Sequence, residues 1–265
     1  MTTSMLLRRF LLCILPCVLV AQPSREESKV FPLSAKGRVI IDTYKGSIDV
    51  STWDKPEVEV HVRIVSDGHD RRHEEEKVQD TRIRFDADDD IVRIKTDYRM
   101  VDKSWSFFDL FDGDDGTLPM VHYTIKMPAR AQLKVKDYKS ESTIAGLRSD
   151  LEFESYKGEL SVTDHHGAVD LETYKGDIDV EFADIGGASR FETYKGTIVV
   201  RVPDKEGFSL RADLGRRVDL DTNFPLERHR DRRNRDDERF RTDVNGGGPD
   251  LSIKSEKGNI RLRSM

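Results

Sequence analysis

Thr173-Tyr174-Lys175-Gly176 is one copy of a four-residue motif on which the reading of this 265-residue chain turns. Thr43-Tyr44-Lys45-Gly46 and Thr193-Tyr194-Lys195-Gly196 repeat it outright, and Ser155-Tyr156-Lys157-Gly158 repeats it with one hydroxyl residue exchanged. Asp137-Tyr138-Lys139-Ser140 and Ser255-Glu256-Lys257-Gly258 are degraded copies, and Asp213-Leu214-Gly215 reads as one that has lost Tyr-Lys. Counted from the last residue of each copy, the spacings from Ser140 onward are 18, 18, 20, 19 and 43 residues. A period near 20 is the mark of stacked repeat units.

The columns around the motif specify what is stacked. Five residues before its end stand Ile41, Val135, Phe153, Leu171, Phe191, Leu210 and Ile253, all apolar. Two and four residues after it come apolar pairs such as Ile178 and Val180, or Ile198 and Val200. The inward parity therefore changes from odd (169, 171, 173) to even (178, 180), which one straight strand cannot do. Each copy is expected to be two short strands around a corner. Gly46, Gly158, Gly176, Gly196, Gly215 and Gly258 supply a permissive backbone there, and the preceding Ser or Thr bonds turn backbone that would otherwise be buried unsatisfied. Stacking such rungs buries a core that no single rung can make.

The expected fold is all-β: a parallel β-solenoid of about 18–20 residues per rung, preceded by a strand-rich N-terminal part. Residues 1–21 read as a secretory signal peptide, with Arg8 and Arg9 before an apolar stretch of 12 residues, Phe10 to Ala21, too short to span a bilayer. Residues 22–30 read as a flexible leader, and 31–130 as the N-terminal β region, in which 66–80 is a charged connection and 102–116 an aromatic and acidic loop. The rungs occupy 131–222, a charged flexible insertion 223–248, and a last rung 249–265. Both cysteines, Cys13 and Cys17, lie in the signal segment, so disulfide and thiolate chemistry are not expected in the exported chain. A net charge of −6 argues against nucleic-acid binding.

Tandem Gly-polar-Ile-polar-Val strands following a strand that ends Met127-Pro128, behind a signal peptide, resemble the bacterial putative-adhesin β-strand-repeat family. The resemblance covers roughly 31–265. It implies an exported β-helical protein of the surface or envelope, and it brings no catalytic residues.

Candidate sites are few. Tyr138, Tyr156, Tyr174 and Tyr194 share an outward column with Tyr44, beside Glu154, Glu172 and Glu192 and next to Lys157, Lys175 and Lys195. Rungs about 4.8 Å apart bring like charges close enough to repel, so the glutamates need lysines, a cation or a ligand. One reading is a stripe that grips an extended polymer; the other is a ladder that stabilises the sheet. Asp109, Asp112, Asp114 and Asp115 offer oxygen ligands of the kind calcium takes, but without EF-hand spacing. His69, His73 with Glu74 to Glu76, and the pair His165-His166 read as solvated loop histidines, not metal ligands, and no catalytic motif is present. No cofactor is expected. The sequence thus points to an exported, non-enzymatic protein binding a cell-surface glycan or envelope protein. The alternatives are a polysaccharide-acting enzyme and an envelope-stress accessory.

Overall fold

The computed structural model describes residues 22–68, 71–101, 118–226, 229–230 and 238–265. The strands are, in chain order, β1 (Ser24–Pro32), β2 (Arg38–Asp42), β3 (Lys45–Trp53) and β4 (Glu57–Val65); helix α1 (Arg71–Asp80); then β5 (Arg82–Ala87), β6 (Ile91–Asp97) and β7 (Met120–Pro128). The rungs follow as β8 (Gln132–Asp137), β9 (Lys139–Ala145), β10 (Leu151–Ser155), β11 (Glu159–Gly167), β12 (Val169–Lys175), β13 (Ile178–Ile185), β14 (Ser189–Lys195) and β15 (Ile198–Val202). The last are β16 (Phe208–Thr222), β17 (His229–Arg230), β18 (Glu238–Val244) and β19 (Asp250–Ser264).

These strands form two ladders. Strands β2, β8, β10, β12 and β14 and the first half of β19 pair side by side and parallel, Leu151 facing Val169 and Leu171 facing Phe191. Strands β3, β9, β11, β13 and β15 and the second half of β19 do the same, Ile178 facing Ile198 and Ile198 facing Ile260. The corner between the ladders is the repeated motif. Thr173 before it and Ile178 after it are both buried, so the parity change is real. The two inner faces meet in a core of β-branched, Leu and Phe side chains, among them Val135, Phe153, Leu171, Phe191, Val180 and Val200. Hydroxyls close the corner. Ser155 Oγ accepts from Gly158 N at 2.7 Å, and Thr173 Oγ1 donates to Thr193 Oγ1 at 3.1 Å.

The whole is not a purely parallel stack. All strands belong to one mixed sheet that curls into a nearly closed, barrel-like shape, which corrects the expectation of a parallel β-solenoid behind a strand-rich N-terminal part. Antiparallel pairs sit at both ends: β1 with β4, β4 with β7 and β5 with β6 at one, β16 with β18 and β17 with β18 at the other. Such hairpin strands cover the ends of the core, which a repeat stack must protect from water and from edge pairing.

Chain order and stacking order also differ. The rung β2–β3 is flanked by β6 and β7 on one side and by β8 and β9 on the other. At the far end β19 slots between β14–β15 and β16, so Gly258 follows Gly196 in the stack and β16 lies outside. Gly215 lies at the corner but out of register with the other corner glycines. A register shift between Leu214 and Arg217 puts it in a bulge opposite Glu256, and Val218 pairs with Gly258.

Three segments expected to be irregular are regular. Residues 24–32, within and beyond the supposed leader, form β1 and pair with β4 along their length. The charged connection contains α1, whose one buried apolar residue, Val78, gives no periodic signal. The charged insertion contains β18, with Phe240 and Val244 buried against β16.

Candidate binding groove

The tyrosine column is a continuous stack of rings. Tyr44, Tyr138, Tyr156, Tyr174 and Tyr194 lie face to face, with centroids 4.7, 5.0, 4.9 and 4.9 Å apart and planes within 8° of parallel. That spacing is the strand separation itself, so the ladder follows from repeating Tyr at one register position. The column is not uniformly outward: Tyr44 and Tyr138 are buried, whereas Tyr174 is 39% exposed. Tyr98, fully buried, packs edge-on against Tyr44 and closes that end.

Cations flank the rings. Lys157 Nζ lies 5.6 Å from both the Tyr138 and Tyr156 centroids, and Lys175 Nζ 5.4 Å from that of Tyr174. Lys257 takes this place at Tyr194, 4.8 Å from the centroid and donating to the hydroxyl at 2.9 Å. Lys195 is exposed.

Between the ring edges and the outer face of the first ladder runs a groove of about 790 Å³. Its other wall is the residue column four before the motif's end. Along the stack this column reads Lys95, Asp42, Lys136, Glu154, Glu172, Glu192, Lys254 and Asp213. The like charges expected at its centre are neutralised by lysines of the same column and by an arginine of the next. Lys136 meets Glu154 at 3.2 Å and Lys254 meets Glu192 at 2.7 Å. Arg190, two residues before Glu192, joins Asp170 at 2.9 Å, Glu172 at 3.3 Å and Glu192 at 2.5 Å. Burial works against the Glu192 carboxylate, but Lys254 and Arg190 together hold it below the usual range. Sequence columns had singled out the glutamates. They had not singled out Lys95, Asp42, Lys136 or Lys254 as the same wall, although Lys136 and Lys254 stand at the same offset.

One residue breaks the regularity. Asp137 occupies the place of Thr173 and Thr193, and Ser140 that of the corner glycine. Burial pushes the Asp137 carboxyl up to about 6, against hydrogen bonds from Ser140 N at 2.8 Å, Ser140 Oγ at 2.6 Å and Ser155 Oγ at 3.0 Å. On the second ladder, burial pushes the His165 imidazole down to about 4; its Nδ1 has no hydrogen-bond partner among the described residues.

These two groups oppose each other. Asp137 holds its proton more tightly folded (about 6) than at its ordinary 3.8, so its contribution is full below about 4 and is lost as pH rises through 6. His165 resists protonation when folded (about 4, against 6.5), so its contribution is full above about 6.5 and is lost as pH falls through 4. Each is worth about 3 kcal/mol at roughly 1.4 kcal/mol per pH unit. Wild-type stability should therefore vary little between pH 4 and 6. Asp137→Asn should leave it climbing with pH over that range, and His165→Phe should leave it falling. Urea titrations at half-unit pH intervals read both slopes; parallel profiles for the three proteins would contradict the assignment.

No group of three or more metal-ligating side chains occurs among the described residues. Asp109, Asp112, Asp114 and Asp115 lie outside them, as does His69. His165 and His166 do not converge on one ion: His165 is buried against Phe182, while His166 sits between Asp184 at 2.5 Å and Asp164 at 3.2 Å.

No family model matches the chain. No curated protein matches its sequence. Solved structures resemble it in outline. A "putative cell adhesion protein" from Clostridium sporogenes aligns at 12% identity with TM-score 0.46, over 91% of this chain and 100% of that one. A "putative adhesin" from Bacteroides fragilis aligns at 10% identity with TM-score 0.46, over 92% and 99%. A "putative lipid binding protein" from Parabacteroides distasonis aligns at 14% identity with TM-score 0.31, over 89% and 96%. No helix among the described residues is long and apolar enough to cross a membrane.

Proposed function

We propose that this chain is an exported, non-enzymatic binding protein of the cell surface or envelope, and that the tyrosine-walled groove takes an extended glycan along the stack. The supporting observation is the groove's repetition: the same ring edge, hydroxyl and carboxylate recur at Tyr156, Tyr174 and Tyr194, 4.9 Å apart. Ring faces are consumed by neighbouring rings, so a sugar would not stack on the inner tyrosines. It would meet ring edges and phenol hydroxyls on one wall and carboxylates and ammonium groups on the other. Repeated subsites suit a polymer better than a single small molecule.

The rungs with 18- and 20-residue offsets are the repeating part of the barrel-like sheet, and the chain is read as following a cleaved signal peptide at 1–21. The division at 131–222 and 249–265 follows the rungs. Asp137 gives the enzymatic alternative its one specific support, because a carboxyl held near 6 inside the groove has the character of a general acid. Incubating the protein with cell-wall and capsular glycans, and scoring both retention and product release, tests these readings. Retention without release is expected. Release would favour a polysaccharide-acting enzyme, and neither result would point to a protein partner such as an envelope-stress component.

A further inference from the structure

A second cavity lies at the other end of the second ladder, where β3 ends at Trp53 and β9 at Ala145, away from the tyrosine corner. Its volume is about 630 Å³, within the range of small-ligand pockets. Backbone hydrogen bonds hold its floor: Ala129 N donates to Trp53 O at 3.3 Å, Arg148 N to Ala129 O at 2.7 Å, and Gly146 N to Thr163 O at 3.0 Å. Thr52 Oγ1 donates to Gly146 O at 2.9 Å.

Three features of this pocket point to a ligand. First, Arg130 and Arg148 come from adjacent rungs, are exposed, and make no ion pair among the described residues. Other arginines are engaged: Arg190, Arg201 and Arg263 each close on carboxylates. Second, Trp53 is fixed by Nε1 donating to Glu57 O at 2.8 Å, while Lys55 Nζ lies 4.4 Å from its ring centroid. A ring face covered by an exposed lysine side chain is a face a ligand can take. Third, Asp164, which lines the pocket, holds a left-handed backbone (φ 51°) at the β11 bulge. A non-glycine residue kept in that region is a local strain that persists only where its surroundings fix it.

We propose that this pocket binds an acidic saccharide unit, with the ring on Trp53 and its anionic group between Arg130 and Arg148. A guanidinium matches a carboxylate or phosphate in a planar, two-bond fit, and an indole face suits the apolar face of a pyranose. Lys55, paired with Glu57 at 3.5 Å, adds a third positive charge against Asp54 and Asp164 in the same lining, in a protein whose net charge is −6. General attraction of anions to the surface is therefore no explanation for binding here.

Calorimetric titration of the full chain with trigalacturonate, its trimethyl ester and inorganic phosphate tests the assignment. The acid should bind, the ester should bind at least tenfold more weakly, and phosphate more weakly than the acid. Arg130→Gln with Arg148→Gln should remove binding of the acid while leaving thermal melting unchanged, because both side chains are exposed. Tyr174→Ala, which alters the other groove, should leave it intact. Equal binding of acid and ester, or unchanged binding in the double variant, overturns the proposal. Phosphate binding as tight as that of trigalacturonate overturns the saccharide assignment.

Discussion

Gly176→Val is expected to lower stability by about 3 kcal/mol or more, at the upper end for an overpacked core. In a chain of this size that corresponds to a fall in Tm of roughly 6 to 12 °C. The cause is close approach. A Cβ on Gly176 would lie 1.9 Å from the carbonyl oxygen of Gly158, and the contact recurs along the stack, Gly196 on Gly176 at 2.1 Å and Gly258 on Gly196 at 2.0 Å. Non-bonded heavy atoms settle at about 3.5 to 4.0 Å, so rungs 176 and 158 would have to part, and the pairing of β10 with β12 and of β11 with β13 would part with them. Backbone handedness adds to the requirement only at Gly46 and Gly258, both with φ near 135°. Gly187→Ala is the control: its Cβ would meet only the Ala168 methyl, at 3.2 Å, and the change should stay within about 1 kcal/mol. Chemical denaturation of both variants decides the matter, and wild-type stability in Gly176→Val would remove close packing of the corner as an explanation.

That corner was legible in the sequence because two independent signals met there, a fixed Gly position and a parity change between Thr173 and Ile178. The physical reason for Gly was not legible. A sequence shows that no side chain is present, and the distance to the next rung is a property of the stack. The position of β16 was hidden for another reason. Apolar residues alternate at Phe208, Leu210, Ala212 and Leu214, so a shift of two residues leaves every inward residue inward. Matching Leu210 to Ile253 and matching it to Leu251, its actual partner, satisfy the pattern equally. Stacking order was concealed likewise: β14 can pair with β16 or β19 on hydrophobic grounds, and the fold-back of β18 onto β16 decides for β19.

The groove divides in the same way. Its tyrosine wall follows from the column, since residues in register on parallel strands must stack. Burial of Tyr44 and Tyr138 does not follow, because it depends on Tyr98 and Thr96, which belong to β6 and the turn after it, far from the repeats in sequence. Charge balance was equally out of reach. Glu154, Glu172 and Glu192 form a repulsive run in their own column. Arg190, from the column two residues earlier, relieves Glu172 and Glu192 together, a contact that exists only because the strands are in register.

Graded burial along the ladder makes its structural and binding roles separable, and this gives the second large effect. Tyr138→Ala should cost about 3 kcal/mol, the range for deleting a buried aromatic side chain. Its ring is buried, stacked on both faces at 4.7 and 5.0 Å, and covered by Lys157. Tyr174→Ala removes a ring with the same two stacking partners, at 4.9 Å each, but one that is 39% exposed, so the loss should be nearer 1 kcal/mol. Binding should follow the opposite order. Tyr174 presents its edge and hydroxyl to the groove's open side, so Tyr174→Ala should reduce glycan retention severalfold at a temperature where the protein remains folded. Tyr174→Phe then divides the contribution of the hydroxyl from that of the ring, because it preserves the stack. Melting curves and retention assays on the same three proteins give both orders. A ladder that serves the sheet alone would show stability losses in proportion to burial and no change in retention from Tyr174→Ala, and that outcome would leave the tyrosines as a fastening between rungs.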